Sequence, residues 1–119
     1  MGNVNLFHAR IEDGVARFGG ADYAAPANAP AGSVAAAYVR PHELELLADA
    51  SHPDAIPATI SYVYALGPVV RIELTRNDNG DLLHAEVPRK RFEELAAIPG
   101  EIVHVKPSNV RVIADDYVI

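Results

Sequence analysis

Val69-Val70-Arg71-Ile72-Glu73-Leu74-Thr75, then Arg76-Asn77-Asp78-Asn79-Gly80-Asp81, then Leu82-Leu83-His84-Ala85-Glu86-Val87 is the stretch on which the fold turns. Val70, Ile72 and Leu74 alternate with Arg71 and Glu73, the period of two that marks a strand with one face buried. Asn77 to Gly80 is rich in the residues that tolerate tight turns, and Leu82 to Val87 reads as the returning strand. Working backwards, Gly67-Pro68 interrupts the chain. Before it, Ile56 to Leu66 carries Thr59, Ile60, Tyr62, Val63 and Tyr64, a strongly β-prone set. Working forwards, Pro88 opens a short helix, with Phe92, Leu95 and Ala96 on one face and Glu93-Glu94 outward. Gly100 follows, then a strand over Ile102 to Lys106, a turn at Pro107-Ser108-Asn109, and a last strand holding Val110, Val112 and Ile113.

The N-terminal half is read the same way. Asn3 to Ile11 alternates, with Val4, Leu6, Ala9 and Ile11 as its apolar positions. Asp13-Gly14 is a two-residue hairpin turn into Val15-Ala16-Arg17-Phe18, which Gly19-Gly20 ends. Ala21 to Ser33, with Pro26 and Pro30, reads as an irregular connection. Val34 to Arg40 is a buried strand stopped by Pro41. Leu44, Leu46 and Leu47 continue after the turn, with Glu43 and Glu45 on the opposite face. Ala48 to Pro53 is a second polar connection. The pattern of roughly eight short strands and one short helix is that of an all-β protein, a small barrel or a sandwich.

Two segments repeat. Ala37-Tyr38-Val39-Arg40-Pro41-His42-Glu43-Leu44-Glu45-Leu46 and Val103-His104-Val105-Lys106-Pro107-Ser108-Asn109-Val110-Arg111-Val112 both run apolar strand, cation, proline, two polar residues, alternating strand. Each half also begins with a hairpin. The reading is one region, 1–119, built from two related β units over 2–48 and 55–114. One unit alone leaves sheet edges open, so two units, or strands exchanged between them, are needed to close a barrel.

Composition narrows function. The chain has 119 residues and no cysteine, which excludes disulfides, thiolate catalysis and cysteine-bound zinc. Ten basic residues face sixteen acidic ones, a formal charge of −6. Nucleic-acid binders generally carry a basic face, so nucleic acid is not the expected partner. Tyr38, Tyr62, Tyr64 and Phe92 are available for stacking, but Tyr62 and Tyr64 lie in an uncharged strand. No apolar run is long enough to span a bilayer, and Met1 to Arg10 lacks the pattern of a signal peptide.

A family resemblance rests on three segments in order. Gly2-Asn3-Val4-Asn5 resembles the G-x-V-N opening of the segment that follows the nucleotide-binding domain in the ATP-binding subunits of sulfate/thiosulfate ABC importers. Tyr38-Val39-Arg40-Pro41-His42-Glu43-Leu44 resembles its V-R-P-H-(D/E)-(I/L) segment. Gly67-Pro68 to Leu74 resembles its G-x-x-x-R-x-E-L strand through Arg71, Glu73 and Leu74. That region is a TOBE domain, an OB-like β barrel. The resemblance implies a regulatory, dimer-stabilising role and no catalysis in this chain. The implied partners are the nucleotide-binding domain of the same subunit, a second copy of the chain and, indirectly, the membrane permease subunits. It further implies a cytoplasmic position on the inner face of the plasma membrane, with ATP and magnesium held by the nucleotide-binding domain and no cofactor here. Met1 beside Gly2, where the family has more sequence, points to a start introduced for expression or to an excised fragment. A phosphate-cradling G-x-x-x-x-G-K-(S/T) loop is absent from the chain.

Two candidate sites stand out. Lys106, Ser108 and Asn109, with Arg40 from the other repeat, offer an ammonium, a hydroxyl and turn N–H groups to a tetrahedral oxyanion. Val105-Lys106-Pro107-Ser108-Asn109-Val110 is also similar to a segment of molybdate-binding domains in which the Lys and Ser lie near the anion, although their Ser-Ala-Arg-Asn opening is missing. The alternative is an ordinary turn with an exposed lysine. Arg40 and His42 form the second candidate, a contact to a neighbouring subunit or to the nucleotide-binding domain, against an arginine that bonds turn carbonyls. Arg89-Lys90-Arg91 is either a phosphate site or a solvated face. The five histidines show no metal-binding spacing, Asp78, Asn79 and Asp81 read as a hairpin turn in place of a calcium loop, and no serine sits in a nucleophile elbow.

Overall fold

The computed structural model describes residues 4–18, 21–24, 32–50, 52 and 55–114. Its strands are β1 (Asn5–Glu12), β2 (Val15–Phe18), β3 (Ala21–Ala24), β4 (Val34–Val39), β5 (Leu44–Leu47), β6 (Ile56–Leu66), β7 (Val69–Arg76), β8 (Leu82–Pro88), β9 (Ile102–Pro107) and β10 (Arg111–Ala114). A 3-10 turn covers Pro41–Glu43, and one helix, α1, covers Arg89–Leu95. The strands form two five-stranded antiparallel sheets, ordered β10-β4-β1-β2-β3 and β5-β9-β6-β7-β8. The all-β expectation holds, in an OB-like arrangement.

The hairpins form where the turn chemistry requires them. Asp13 and Gly14 both have positive φ, 54° and 73°, so Glu12 pairs with Val15 across a two-residue turn whose twist matches the strands. β7 and β8 pair from Val69–Pro88 to Thr75–Leu82, with Val70, Ile72 and Leu74 buried as the alternation demands. Arg89 at the start of α1 anchors the β6–β7 turn, its Nε donating to the Gly67 carbonyl at 2.6 Å and its N–H to that of Pro68 at 2.9 Å.

The sheets exchange strands between the two halves of the sequence. β4 lies in the first sheet and β5 in the second. β9 lies in the second sheet and β10 in the first. The two repeated segments therefore run antiparallel alongside each other, β4 on β10 and β5 on β9. Both sheets contribute to one core, Phe7, Ile11, Ala37 and Val39 from the first, Ile60, Ile72, Leu74 and Leu83 from the second. Neither half of the chain encloses that core alone.

Several expectations are corrected. The second sheet does not close into a true barrel, because β5 and β8 stand at opposite edges with no ladder between them. The gap is spanned by the 3-10 turn and by the side chain of Asn5, described below. Val4 and Leu6 point outward, 45% and 53% exposed, while Asn5 and Phe7 point in. Residues 21–24, expected as irregular, pair with β2 as an edge strand. The remainder of that connection, residues 25–31, lies outside the described residues, as do Gly2, Asn3, Gly19 and Gly20. Ala96 is the left-handed C-cap of α1 and is exposed; Ala97 is the alanine that packs on the core. Finally, β6 bulges between Ile60 and Tyr62. An extra residue in one strand reverses which side chains face the core. Ile56, Ala58 and Ile60 point in before the bulge and Val63 after it, so Tyr62, Tyr64 and Leu66 are turned to solvent.

Candidate functional site

Pro41 sets the local geometry where the first repeat turns from one sheet to the other. Its fixed φ starts a single 3-10 turn, in which the Glu43 N–H donates to the Arg40 carbonyl at 2.9 Å. That turn breaks the strand alternation and rotates Glu43 inward. Glu43 is 8% exposed, not on the outer face the alternation predicts; Glu45 does take that outer face.

The second repeat wraps around this carboxylate. Arg111 donates twice, Nη1 to Oε1 at 2.9 Å and Nη2 to Oε2 at 3.2 Å. Asn109, held at φ 54°, donates its amide Nδ2 to Oε2 at 2.7 Å, and the Arg40 N–H donates to Oε1 at 2.9 Å. Ser108 donates both its N–H and its hydroxyl to the Glu43 carbonyl, each at 2.8 Å. Arg111 also lies over the Tyr38 ring at 5.8 Å. Charge-assisted bonds from Arg111 above all, then from the Arg40 N–H, hold the Glu43 carboxyl at a pKa of about 2, below its ordinary 4.5. The arrangement is a clasp between the two repeats, placed where both cross between sheets.

The predicted site residues are thus distributed as follows. Ser108 and Asn109 are brought together, and their donors are directed to Glu43. Arg40 is exposed, and it is its main chain that enters the clasp. Lys106 stands across β9–β5 from Glu45 in the ladder. His42 is exposed on the rim of an open cleft of about 350 Å³ between β5 and β8, which Glu45, Glu86 and Arg91 also line. Arg91 crosses that cleft to donate to the Leu46 carbonyl at 2.8 Å. Of the basic run, then, Arg89 and Arg91 are both bonded to main-chain carbonyls. Asp78 and Asn79 are engaged within their own turn, Asp78 with Arg76 and Asn79 with Asp81.

Three residues that organise the molecule are missed by reading the sequence, namely Glu43, Arg111 and Asn5. Asn5, 2% exposed on β1, donates Nδ2 to the His84 carbonyl at 2.8 Å and accepts from the His84 N–H at 2.7 Å. It also donates to the Val39 carbonyl at 3.2 Å. A side-chain amide here substitutes for a strand, pairing with the edge of β8 where the second sheet is open. Arg76 makes a second link between the sheets, its guanidinium 5.3 Å from the centre of the Phe7 ring. One signal was present for the clasp: aligning the two repeats sets Glu43 against Asn109, and these two side chains bond each other.

Two exchanged β units over a shared core, locked by an internal clasp, define the class: a TOBE-like domain of the OB-like kind. A family model described as a TOBE-like domain matches residues 50–108, and one described as the CysA C-terminal regulatory domain matches residues 5–46. The sulfate/thiosulfate import ATP-binding protein CysA of Bacillus cereus is 41% identical over 121 residues, covering 100% of this chain and 34% of that protein. The Nitrosomonas europaea protein of the same name is 40% identical over 110 residues, covering 90% of this chain and 30% of its own length. Over its whole length the chain is similar to CysA ATP-binding proteins, and over residues 5–46 to their C-terminal regulatory domain. It spans about a third of the length of the relatives it matches. The fold is shared with a crystal structure of the cytoplasmic molybdate-binding protein ModG, at a TM-score of 0.72 and 20% identity, over 91% of this chain and 94% of that one.

Proposed function

We propose that this chain is the accessory region of an ATP-binding subunit that drives import of sulfate or thiosulfate, and that it regulates the subunit and stabilises its dimer without catalysis of its own. The observation that carries the reading is the match of the full chain to about a third of the Bacillus cereus CysA protein, together with the match of residues 5–46 to the CysA C-terminal regulatory domain. In this reading ATP and magnesium belong to the nucleotide-binding domain that precedes the region in the same subunit, and the permease subunits are reached through that domain. The subunit then sits in the cytoplasm against the inner face of the plasma membrane. Among the described residues no helix is long and apolar enough to cross a membrane. Arg40 and His42, exposed beside the clasp, are the contact offered to the nucleotide-binding domain or to a second subunit.

Such a role acts through a coupling free energy, typically worth between about 5- and 150-fold in affinity. Removing this region from the full subunit should weaken its ATP-dependent dimerisation by about tenfold or more, measured by analytical ultracentrifugation with a slowly hydrolysed nucleotide. The isolated chain should give no heat of ATP binding by calorimetry. Tight ATP binding here, or an unchanged dimer after deletion, overturns the reading.

Oxyanion binding at Lys106, Ser108, Asn109 and Arg40 is the alternative that the geometry supports less. An anion at that turn meets the Glu43 carboxylate, and the Ser108 and Asn109 donors are already engaged. Sulfate, molybdate and tungstate should each leave the melting temperature of the chain unchanged. A stabilisation that Lys106→Ala abolishes would restore the anion site.

A further inference from the structure

We infer that the free edge of β6, from Tyr62 to Leu66, is a self-pairing surface that joins two copies of this chain in a continuous antiparallel sheet. β9 covers β6 only from Ile56 to Thr59. Ile60 is covered in turn by the 98–101 loop, its N–H donating to the Glu101 carbonyl at 2.9 Å and its carbonyl accepting from Gly100 at 2.8 Å. Beyond it, no described residue outside β7 bonds the backbone of Ser61 to Leu66.

The direction of the open groups follows from the hairpin. Leu66 and Val69 close the two-residue turn at Gly67-Pro68 and so face each other across the ladder. Backbone groups alternate in direction along a strand, so Leu66, Tyr64 and Tyr62 turn theirs to β7, while Val63 and Ala65 turn theirs to the open edge. The bulge is consistent with this phase, because Ile60 faces away from β7 on its other side.

This slot is bounded by the 98–101 loop at one end and by the Gly67 turn at the other. It is five residues long, an odd number, with Tyr64 at its centre. A two-fold axis through Tyr64 sets Val63 against Ala65 of the second copy, and Ala65 against its Val63. Each pair exchanges two hydrogen bonds, four in all. Tyr64 then faces its own copy at the close, non-hydrogen-bonded position, and Tyr62 faces Leu66. All three side chains lie on one face, are 59%, 45% and 52% exposed, and Tyr62 already stacks on Tyr64 with centroids 6.2 Å apart.

Of the strands at the ends of the two sheets, β10 opens with the charged Arg111 held by Glu43, and the other three are guarded as well. β8 is occupied by Asn5 and ends in Pro88, β3 carries Asp22 in an ion pair with Arg17, and β5 carries Glu45. Natural sheets blunt free edges with charge, proline or covering groups. From Ile60 to Leu66 the strand has no charge and no proline, so self-pairing opposes no like charges in spite of the net charge of −6. An uncharged, self-complementary slot fits a second copy better than the edge of an unrelated protein. The inference rests on the proposed pairing of two subunits only for its physiological setting.

The test is sedimentation of this chain from micromolar to millimolar concentration. The expected result is a monomer–dimer equilibrium that Ala65→Pro and Tyr64→Lys each weaken by about tenfold or more, through lost edge donors and a facing charge pair respectively. Circular dichroism checks the fold, and Tyr64→Lys at an exposed position carries the test should the proline variant not fold. Because the chain has no cysteine, Tyr64→Cys supplies a single thiol at the axis. It should oxidise to a crosslinked dimer much faster than Leu82→Cys, a more exposed position on β8. A chain that stays monomeric, a dimer indifferent to both edge variants, or equal crosslinking at the two positions overturns the inference and leaves the edge to a different protein. None of these readouts involves nucleotide or transport, so failure here is distinct from failure of the transporter reading.

Discussion

Replacing Glu43 by alanine is expected to lower the melting temperature by on the order of 10 °C, among the largest effects of any single polar substitution in this chain. The side chain accepts from Arg111, Asn109 and the Arg40 N–H at one point, and its removal leaves these donors without their acceptor inside a tight turn. Glu43→Gln should cost less at neutral pH, since a carbonyl remains, but its NH2 then meets donors where an acceptor is needed. The two variants separate packing from charge. Hydrogen exchange should show where the loss falls: β4 and β10, which the clasp aligns, should lose protection before the β7–β8 hairpin does.

The same carboxylate sets an acid limit. Its pKa is about 2 in the folded chain against an ordinary 4.5, so the folded state prefers the ionised form. That preference stabilises the fold fully above pH 4.5 and is lost as the pH falls from there through about 2. Denaturant midpoints measured down this range should fall for the native chain. The Glu43→Gln variant should show a shallower fall, keeping only the part due to carboxylates such as Asp78, whose pKa is lowered by Arg76. Equal slopes in the two proteins would show that the clasp does not couple to protons. A double-mutant cycle with Arg111→Ala then isolates the pair, and a coupling near zero would assign the stability of the turn to Ser108 and Asn109.

The contrast between what the sequence discloses and what it hides has a common cause. Hairpins with a strict period of two, such as β7–β8, and turns with positive φ, such as Asp13-Gly14, are local, and residue type reports them directly. Each misplaced residue follows a break in that period. The 3-10 turn at Pro41 resets the phase and carries Glu43 inward, although Leu44-Glu45-Leu46 alone sets it on the outer face. The bulge after Ile60 reverses β6, so a run of uniformly β-prone residues does not say which tyrosines are wet. In β1 the core-facing phase is that of Asn5, Phe7 and Ile11, so Ile11 falls where its apolarity places it while Val4 and Leu6 lie in the opposite phase and face out. β3 is an edge strand of only four residues, Ala-Asp-Tyr-Ala, with no β-branched residue to mark it. The exchange of β5 and β10 is non-local, and only the repeat hints at it.

Asn5 supplies the second large expected effect. It is 2% exposed and makes three hydrogen bonds, two of them to the N–H and carbonyl of His84 on the edge of β8. Asn5→Ala removes all three and leaves the part-buried N–H and carbonyl of His84 without their side-chain partner. At about 1 kcal/mol net per bond, and more where a group is stranded without water, the loss should be about 2–4 kcal/mol. Urea unfolding measures it as a fall in midpoint at unchanged slope. Asn5→Leu tests the mechanism, since it restores the apolar volume but not the amide. Were Asn5 merely filling space, leucine would recover most of the stability. Because its amide replaces the missing ladder between the first sheet and β8, leucine should remain nearly as damaging as alanine, with exchange protection lost first at the His84 amide. The edge of β8 then loses its side-chain partner while the β1–β4 ladder persists, which makes the asparagine the element that ties β1 of the first sheet to β8 of the second.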